Sequence, residues 1–157
     1  MKFTANVPGE LRYRDLVGAS LRQVCRQVES ERAGVSLEWR LLSAFNEAFN
    51  NVVEHAYAER PGEVEVSLTV DHDRVVLRLV DQGSAFNFEA AGASDAPPEF
   101  DAMSEGGMGL FIMRQAMSEV VYERLHNRNV LTMMKRLSEC VRASVLPSAP
   151  AAEGSRC

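Results

Sequence analysis

The chain is poor in cysteine: it has three in 157 residues, and Cys25, Cys140 and Cys157 form no CxxC pair. An odd, scattered set supports neither a disulfide framework nor a zinc site, and it fits a reduced cytosolic protein. Long apolar runs are also missing. None approaches the ~20 residues that cross a bilayer, and Met1 to Asn6 lacks the apolar segment of a signal peptide. No long basic run is present and the formal net charge is −5, which argues against nonspecific binding to nucleic acid. What remains is 46% apolar and 25% charged residues, the make-up of one soluble, cytoplasmic globular domain with its own core.

Lys2–Val7 alternates weakly and is expected as a short edge strand closed by Pro8-Gly9. From Leu11 to Val28 the residues Val17, Leu21, Val24 and Val28 recur at helical spacing. Ser36 followed by Glu38 predicts the N-terminal cap of a second helix that ends near Tyr57. Glu63–Val70 alternates strictly, and Asp71-His72-Asp73 predicts a turn into Arg74–Asp81, giving a hairpin. Ser84–Gly106 has no sustained period, and a loop of that length inside a compact domain is expected to act as a lid. A short helix from about Gly109 to Met117 follows, then strands over Val120–Arg124 and Val130–Lys135 with Asn127-Arg128-Asn129 at the turn. The segment 141–157 is expected as a disordered tail behind a domain spanning 1–140. This order predicts an α/β two-layer (α+β) sandwich: one mixed or antiparallel sheet with helices on a single face.

Three constellations bear chemistry. In the second helix Glu47, Asn50, Asn51, Glu54 and His55 share one side, at about 100° per residue, opposite Phe45, Phe49, Val52 and Ala56. Glu47 can accept a proton from a hydroxyl, and the Asn51 carbonyl oxygen is a hard neutral ligand suited to Mg²⁺ beside nucleotide phosphates. A plain solvated face explains the same spacing. Asp81, at the end of an apolar strand, is either a turn former or an acceptor for an exocyclic amino group, with Gly83 letting a ring approach the backbone. Gly106-Gly107-Met108-Gly109-Leu110 runs glycines into a helix, where exposed backbone N–H groups can meet an anion; a hinge for the preceding loop is the other reading.

Together, the segments NEAFNNVVEHAY, VDQGSAFNF and GGMGLFIMRQAMSEVVYE make the chain similar to the GHKL (Bergerat-fold) ATPases, over about residues 1–137. Within that superfamily it most resembles the bacterial anti-sigma-factor serine/threonine kinases of partner-switching systems. The resemblance implies an ATP-dependent kinase that phosphorylates a STAS-type antagonist, sequesters a sigma factor and forms a homodimer. It also implies roles: Glu47 as general base, Asn51 on the Mg²⁺ that bridges the ATP phosphates, and Asp81 on the adenine amino group. Gly83 would line the base pocket, and Gly107 and Gly109 would meet the phosphates, with Asn50, Met108 and Leu110 as further nucleotide contacts.

One departure stands out. Related kinases often carry a basic residue just before the second glycine turn, whereas here Asp101-Ala-Met-Ser-Glu105 precedes it and Ser84–Gly106 has no Lys or Arg. More negative charge beside a triphosphate is unfavourable unless a cation compensates. An ATP- or ADP-holding regulatory module with little transfer is therefore the alternative, and a nucleotide-free interaction domain a third reading. His55 is read as a bonded helix-edge histidine, and His72 and His126 as turn residues without metal spacing. Met103, Met108, Met113 and Met117 are read as lid and core packing. The basic run Arg12, Arg14, Arg22 and Arg26 is read as a solvated face or, alternatively, as a dock for an acidic partner.

Overall fold

In a computed structural model, residues 1–32, 34–57, 62–85 and 107–140 are described. The expected lid beyond residue 85 and the expected tail at 141–157 lie outside them. The elements in chain order are β1 (Lys2–Pro8), α1 (Leu11–Glu31), α2 (Glu38–Asn51), β2 (Glu63–Val70), β3 (Arg74–Asp81), α3 (Gly107–Ala116), β4 (Glu119–Leu125) and β5 (Arg128–Arg136). The strands form one sheet in the order β1-β2-β3-β5-β4, with each neighbouring pair antiparallel. The hairpin read from period-two alternation is present with the expected ends.

Alternation decides which side of the sheet is covered. Val64, Val66, Leu68 and Val70 of β2, with Val75, Leu77 and Leu79 of β3, are buried, while Glu65, Ser67, Thr69, Val76 and Arg78 between them are half-buried. Against the buried face α1 lays Val17, Leu21, Cys25 and Val28, and α2 lays Leu41, Phe45, Ala48 and Phe49. Full burial of each large side chain contributes about 1.5–3 kcal/mol, so this single apolar layer holds the two helices on the sheet. Arg32, just past α1, ties the helix end to the β2–β3 turn by donating to the carbonyls of His72 (2.6 Å) and Asp71 (2.8 Å).

Four local expectations change. Pro8 extends β1 by one residue, paired with Glu63, which an edge strand tolerates because no partner needs its missing N–H. Ser36 does not cap α2. Its N–H donates to the Cys140 carbonyl (2.7 Å), and the Glu29 carboxylate of α1 receives the N–H groups of Leu37 (2.5 Å) and Glu38 (2.8 Å) instead. The second helix does not run on regularly to Tyr57; after Asn51 it widens into a π turn over Val52–Ala56. The last hairpin turns at His126-Asn127, with His126 at φ 57°, so Asn129 belongs to β5 and not to the turn.

Candidate active site

The polar side of α2 meets the start of α3. A Cβ built on Gly109 would stand 3.0 Å from Glu47 Oε2 and 3.7 Å from Asn51 Oδ1, so a side chain there would press on both groups. The glycine lets the helix start close on the carboxylate and carboxamide. The helix begins at Gly107, two residues earlier than expected. Its first four N–H groups, on Gly107, Met108, Gly109 and Leu110, therefore have no partner within the helix, and they carry the positive end of its dipole. Leu110 itself is 1% exposed in the core, so toward a ligand it can offer its backbone alone. Glu47 is half-buried, open enough to meet an incoming hydroxyl.

The other end of α2 meets the turn after β3. The π turn adds a residue to the helical circuit and brings the Ala56 carbonyl to the Ser84 N–H at 3.0 Å. A Cβ on Gly83 would lie 2.2 Å from that carbonyl oxygen, an impossible approach, so the close passage of the two backbones requires glycine. Tyr57, one residue on, donates its hydroxyl to the Glu63 carbonyl (2.7 Å) and accepts the Gln82 N–H (3.1 Å). Widened helix turns of this kind are frequent at functional sites.

Between these walls lies a pocket open to solvent, lined by Ala48, Val52, Ala56, Leu79, Met113 and Leu131 with Asn51, Asp81 and Asn129 among its polar groups. Asp81 is 5% exposed and its Oδ1 accepts the Gly83 N–H (2.8 Å) and Asn129 Nδ2 (2.7 Å). Burial pushes its carboxyl above the usual aspartate range, opposed by those two hydrogen bonds and by the Arg124 charge. Asp81 thus forms the turn, and its carboxylate lies at the end of an apolar slot. The apolar lining that ends in a buried carboxylate suits a flat heterocycle with an exocyclic donor.

Of the residues expected here, Glu47, Asn51, Gly107, Met108 and Gly109 gather at the α2–α3 end, and Asp81 and Gly83 at the pocket's other end. Asn50 turns away from α3 toward α1, where its Oδ1 accepts Arg14 Nη1 at 2.9 Å. The basic run is largely spent on ion pairs: Arg22 and Arg26 share Glu38 (3.0 and 3.3 Å) and Arg12 pairs with Glu10 (3.0 Å), which favours the solvated-face reading. Asn129, Tyr122 and Arg124 were missed. The one signal for them was a carboxamide, Asn129, directly before the apolar run of β5, and a turn explained it equally well. Among the described residues no three His, Cys, Asp or Glu side chains cluster as a metal site, and no helix is long and apolar enough to cross a membrane.

Residues 11–135 match the family model of the histidine kinase-like ATPase domain. The serine-protein kinase RsbW of Bacillus velezensis is 34% identical over 119 residues, 73% of this chain and 72% of that one. RsbW of Listeria monocytogenes is 32% identical over 126 residues, 76% and 77% of the two chains. RsbW of Bacillus licheniformis is 42% identical over 82 residues, and there the match spans about half of each protein, 49% of this chain and 51% of the relative. Among solved structures, the histidine kinase AdeS of Acinetobacter baumannii aligns at a TM-score of 0.44 with 13% identity, covering 85% of this chain and 68% of that one, a likeness too distant to build on.

Proposed function

As the chain belongs to the histidine kinase-like ATPase domain family, with RsbW serine-protein kinases among its relatives, we propose that it is an anti-sigma-factor-type serine/threonine kinase. In this reading it binds Mg-ATP, phosphorylates a STAS-type antagonist and sequesters a sigma factor as a cytoplasmic homodimer, with partner choice switched by ATP against ADP. The observation that carries the proposal is the approach of Gly109 to Glu47 and Asn51. It sets a base, a neutral oxygen ligand and a helix N-terminus on one wall, beside a pocket that ends in a buried carboxylate.

Each residue has one task. Asp81 accepts the exocyclic amino group of adenine and so sets the base in the slot, while Gly83 leaves room for its edge. The backbone N–H groups of Gly107, Met108, Gly109 and Leu110 donate to phosphate oxygens. Asn51 would hold the divalent cation through its carbonyl oxygen; when bound, that ion neutralises phosphate charge. Glu47 takes the proton from the substrate hydroxyl as its oxygen bonds to the γ-phosphorus and the bond to the β-phosphate oxygen breaks, leaving ADP. Phosphoryl transfer depends on positioning and charge neutralisation, which these groups supply. Asn50 supports the wall through Arg14.

The acidic Asp101–Glu105 stretch supports the second reading, in which the site holds nucleotide with little transfer. Labelled Mg-ATP incubated with the chain and the STAS-type antagonist encoded beside it separates the two. A phosphoserine or phosphothreonine on the antagonist, lost in Glu47→Ala while ADP still binds, is the expected result. Nucleotide binding without any phosphoprotein would establish the regulatory module instead, and transfer undiminished in Glu47→Ala would remove the proposed base.

A further inference from the structure

The ladder between β2 and β3 stops one bonded pair short of the site. Bonded pairs in an antiparallel ladder recur at every second residue. Here they start with the Asp71 N–H on the Arg74 carbonyl (2.9 Å), and the register runs on to Glu65 opposite Val80. The next bonded pair would set the Gln82 N–H on the Glu63 carbonyl. Instead the Tyr57 hydroxyl stands between them, donating to the Glu63 carbonyl at 2.7 Å and accepting the Gln82 N–H at 3.1 Å. One phenol oxygen thus takes the place of a ladder bond and keeps the two strand ends apart. Burial, with the charges of Asp81 and Glu63 adding and the Gln82 hydrogen bond opposing, pushes the phenol up, so near neutral pH it keeps the proton that it donates.

Glycine makes room for the ring. A Cβ on Gly9 would stand 2.4 Å from Tyr57 Cδ2, and one on Gly62 2.1 Å from Tyr57 Cε1. The Gly9 N–H on the Gly62 carbonyl (2.7 Å) joins the two glycines into one floor. Tyr57 ends the helix that carries Glu47 and Asn51, and its own N–H closes the π turn on the Val52 carbonyl (3.0 Å). Helix ends fray, and here the side chain pins the last peptide. The Gln82 N–H on the hydroxyl and the Ser84 N–H on the Ala56 carbonyl (3.0 Å) then join that peptide to the turn after β3. Asn129 and Arg124 tie the same turn to β5 and β4, through Asp81 Oδ1 (2.7 Å) and the Gly83 carbonyl (2.9 Å). Those two bonds fix its place on the sheet; the bonds from Ala56 and Tyr57 fix its place against the helix. Without the hydroxyl, the Gln82 N–H can meet the Glu63 carbonyl directly, which draws the turn toward β2 and away from Ala56.

Resting on the nucleotide reading of this pocket, we infer that Tyr57 is a positioning residue that sets the span between the two ends of the site. Its hydroxyl keeps the Asp81–Ser84 turn, which meets the base, in register with Glu47 and Asn51 on the same helix, beside the phosphates. Two contacts within one ligand reinforce each other only where the geometry lets both engage at once. ADP reaches both ends and depends on that span. Adenosine reaches the base end alone and does not.

Titration of the full chain with ADP and with adenosine, without metal and followed by the NMR signals of the added compound, tests this apart from catalysis. Tyr57→Phe keeps the ring on its glycine floor and removes the hydroxyl alone. It should weaken ADP binding by roughly threefold to tenfold, the scale of one neutral hydrogen bond, and adenosine binding by less, so that the ADP-to-adenosine affinity ratio falls. Gly62→Ala displaces the ring with its hydroxyl intact and should lower the ratio as well; thermal melting checks that both variants fold. A role in stability alone would lower the melting temperature and leave the ratio of the folded chain where it was. A ratio unchanged in either folded variant overturns the inference and leaves the nucleotide site standing. A parent chain that binds ADP but no adenosine, or binds the two equally, overturns it too, since it then has no separate base end or no span to set. Failure of the parent chain to bind ADP sinks the nucleotide reading and this inference with it.

Discussion

Gly83 and Ala56 show how much a single position carries. One methyl group on Gly83 would have to occupy space 2.2 Å from the Ala56 carbonyl oxygen, and backbone on both sides leaves it little freedom to yield. Gly83→Ala is therefore expected to lower stability by about 1–3 kcal/mol, the usual cost of overpacking, read as a shift in the denaturation midpoint. It should also displace the Ser84 N–H from Ala56 and weaken ADP binding. A variant with an unchanged midpoint and unchanged ADP affinity would show that the two backbones part easily. Cysteine is the counter-case. Cys25 is fully buried, and burial, with the charges of Glu29 and Glu38 adding, pushes its thiol up to about 12. The thiolate is the reactive form, so slow labelling of Cys25 in the folded chain is expected, and rapid modification under native conditions would contradict its place in the core.

The elements differ in how plainly their residues announced them. The β2–β3 hairpin was legible because one face is packed and the other is not, which enforces period-two alternation. The start of α2 was misread because its cap comes from another helix: Glu29 stands eight residues before Leu37 in sequence and only the α1–α2 connection brings it close. Glu29→Ala should cost roughly 1 kcal/mol, as cap losses do, seen as a melting temperature lower by about 2–4 °C. No change would mean that Ser36 or water replaces it. The end of β5 is held by a comparable staple. Ser118 donates to Glu139 at 2.5 Å and Lys135 at 2.9 Å, and Arg136 adds a 3.5 Å contact; together they bring the Glu139 carboxyl from 4.5 to about 2. A lowered folded value stabilises above the unfolded one, and that contribution is lost as pH falls through the folded value. Glu139→Gln should thus melt below the parent at neutral pH, with the gap closing between pH 4.5 and about 2. A gap independent of pH would refute the ionic origin.

At the scale of the whole molecule, the pocket is a product of topology. Glu47 and Asn51 lie on α2, Asp81 and Gly83 at the end of β3, Gly107 and Gly109 at the start of α3, and Asn129 at the start of β5. The first three groups were readable because each has a local signature: a polar cluster on an amphipathic helix, an acid at the end of a strand, glycines entering a helix. Asn129 had no such signature. Its meaning depends on a register that sets it opposite Asp81 on one side and Arg124 on the other, and nothing within a few residues of it reveals that. The π turn was equally silent, since the contacts beside it, from Ala56 to Ser84 and from Tyr57 to Gln82, join segments more than twenty residues apart.

If these separate elements form one nucleotide site, ADP must bind there, and calorimetric titration of the full chain beside its Asp81→Asn and Glu47→Gln variants measures it. Burial raises the Asp81 carboxyl, so its ionised form costs stability as pH rises through the raised value, and Asp81→Asn removes that cost. Saturable ADP binding by the parent chain is expected, retained in Glu47→Gln and lost in an Asp81→Asn variant that melts no lower than the parent at neutral pH. Absence of binding by the parent, or binding indifferent to Asp81→Asn, would contradict it.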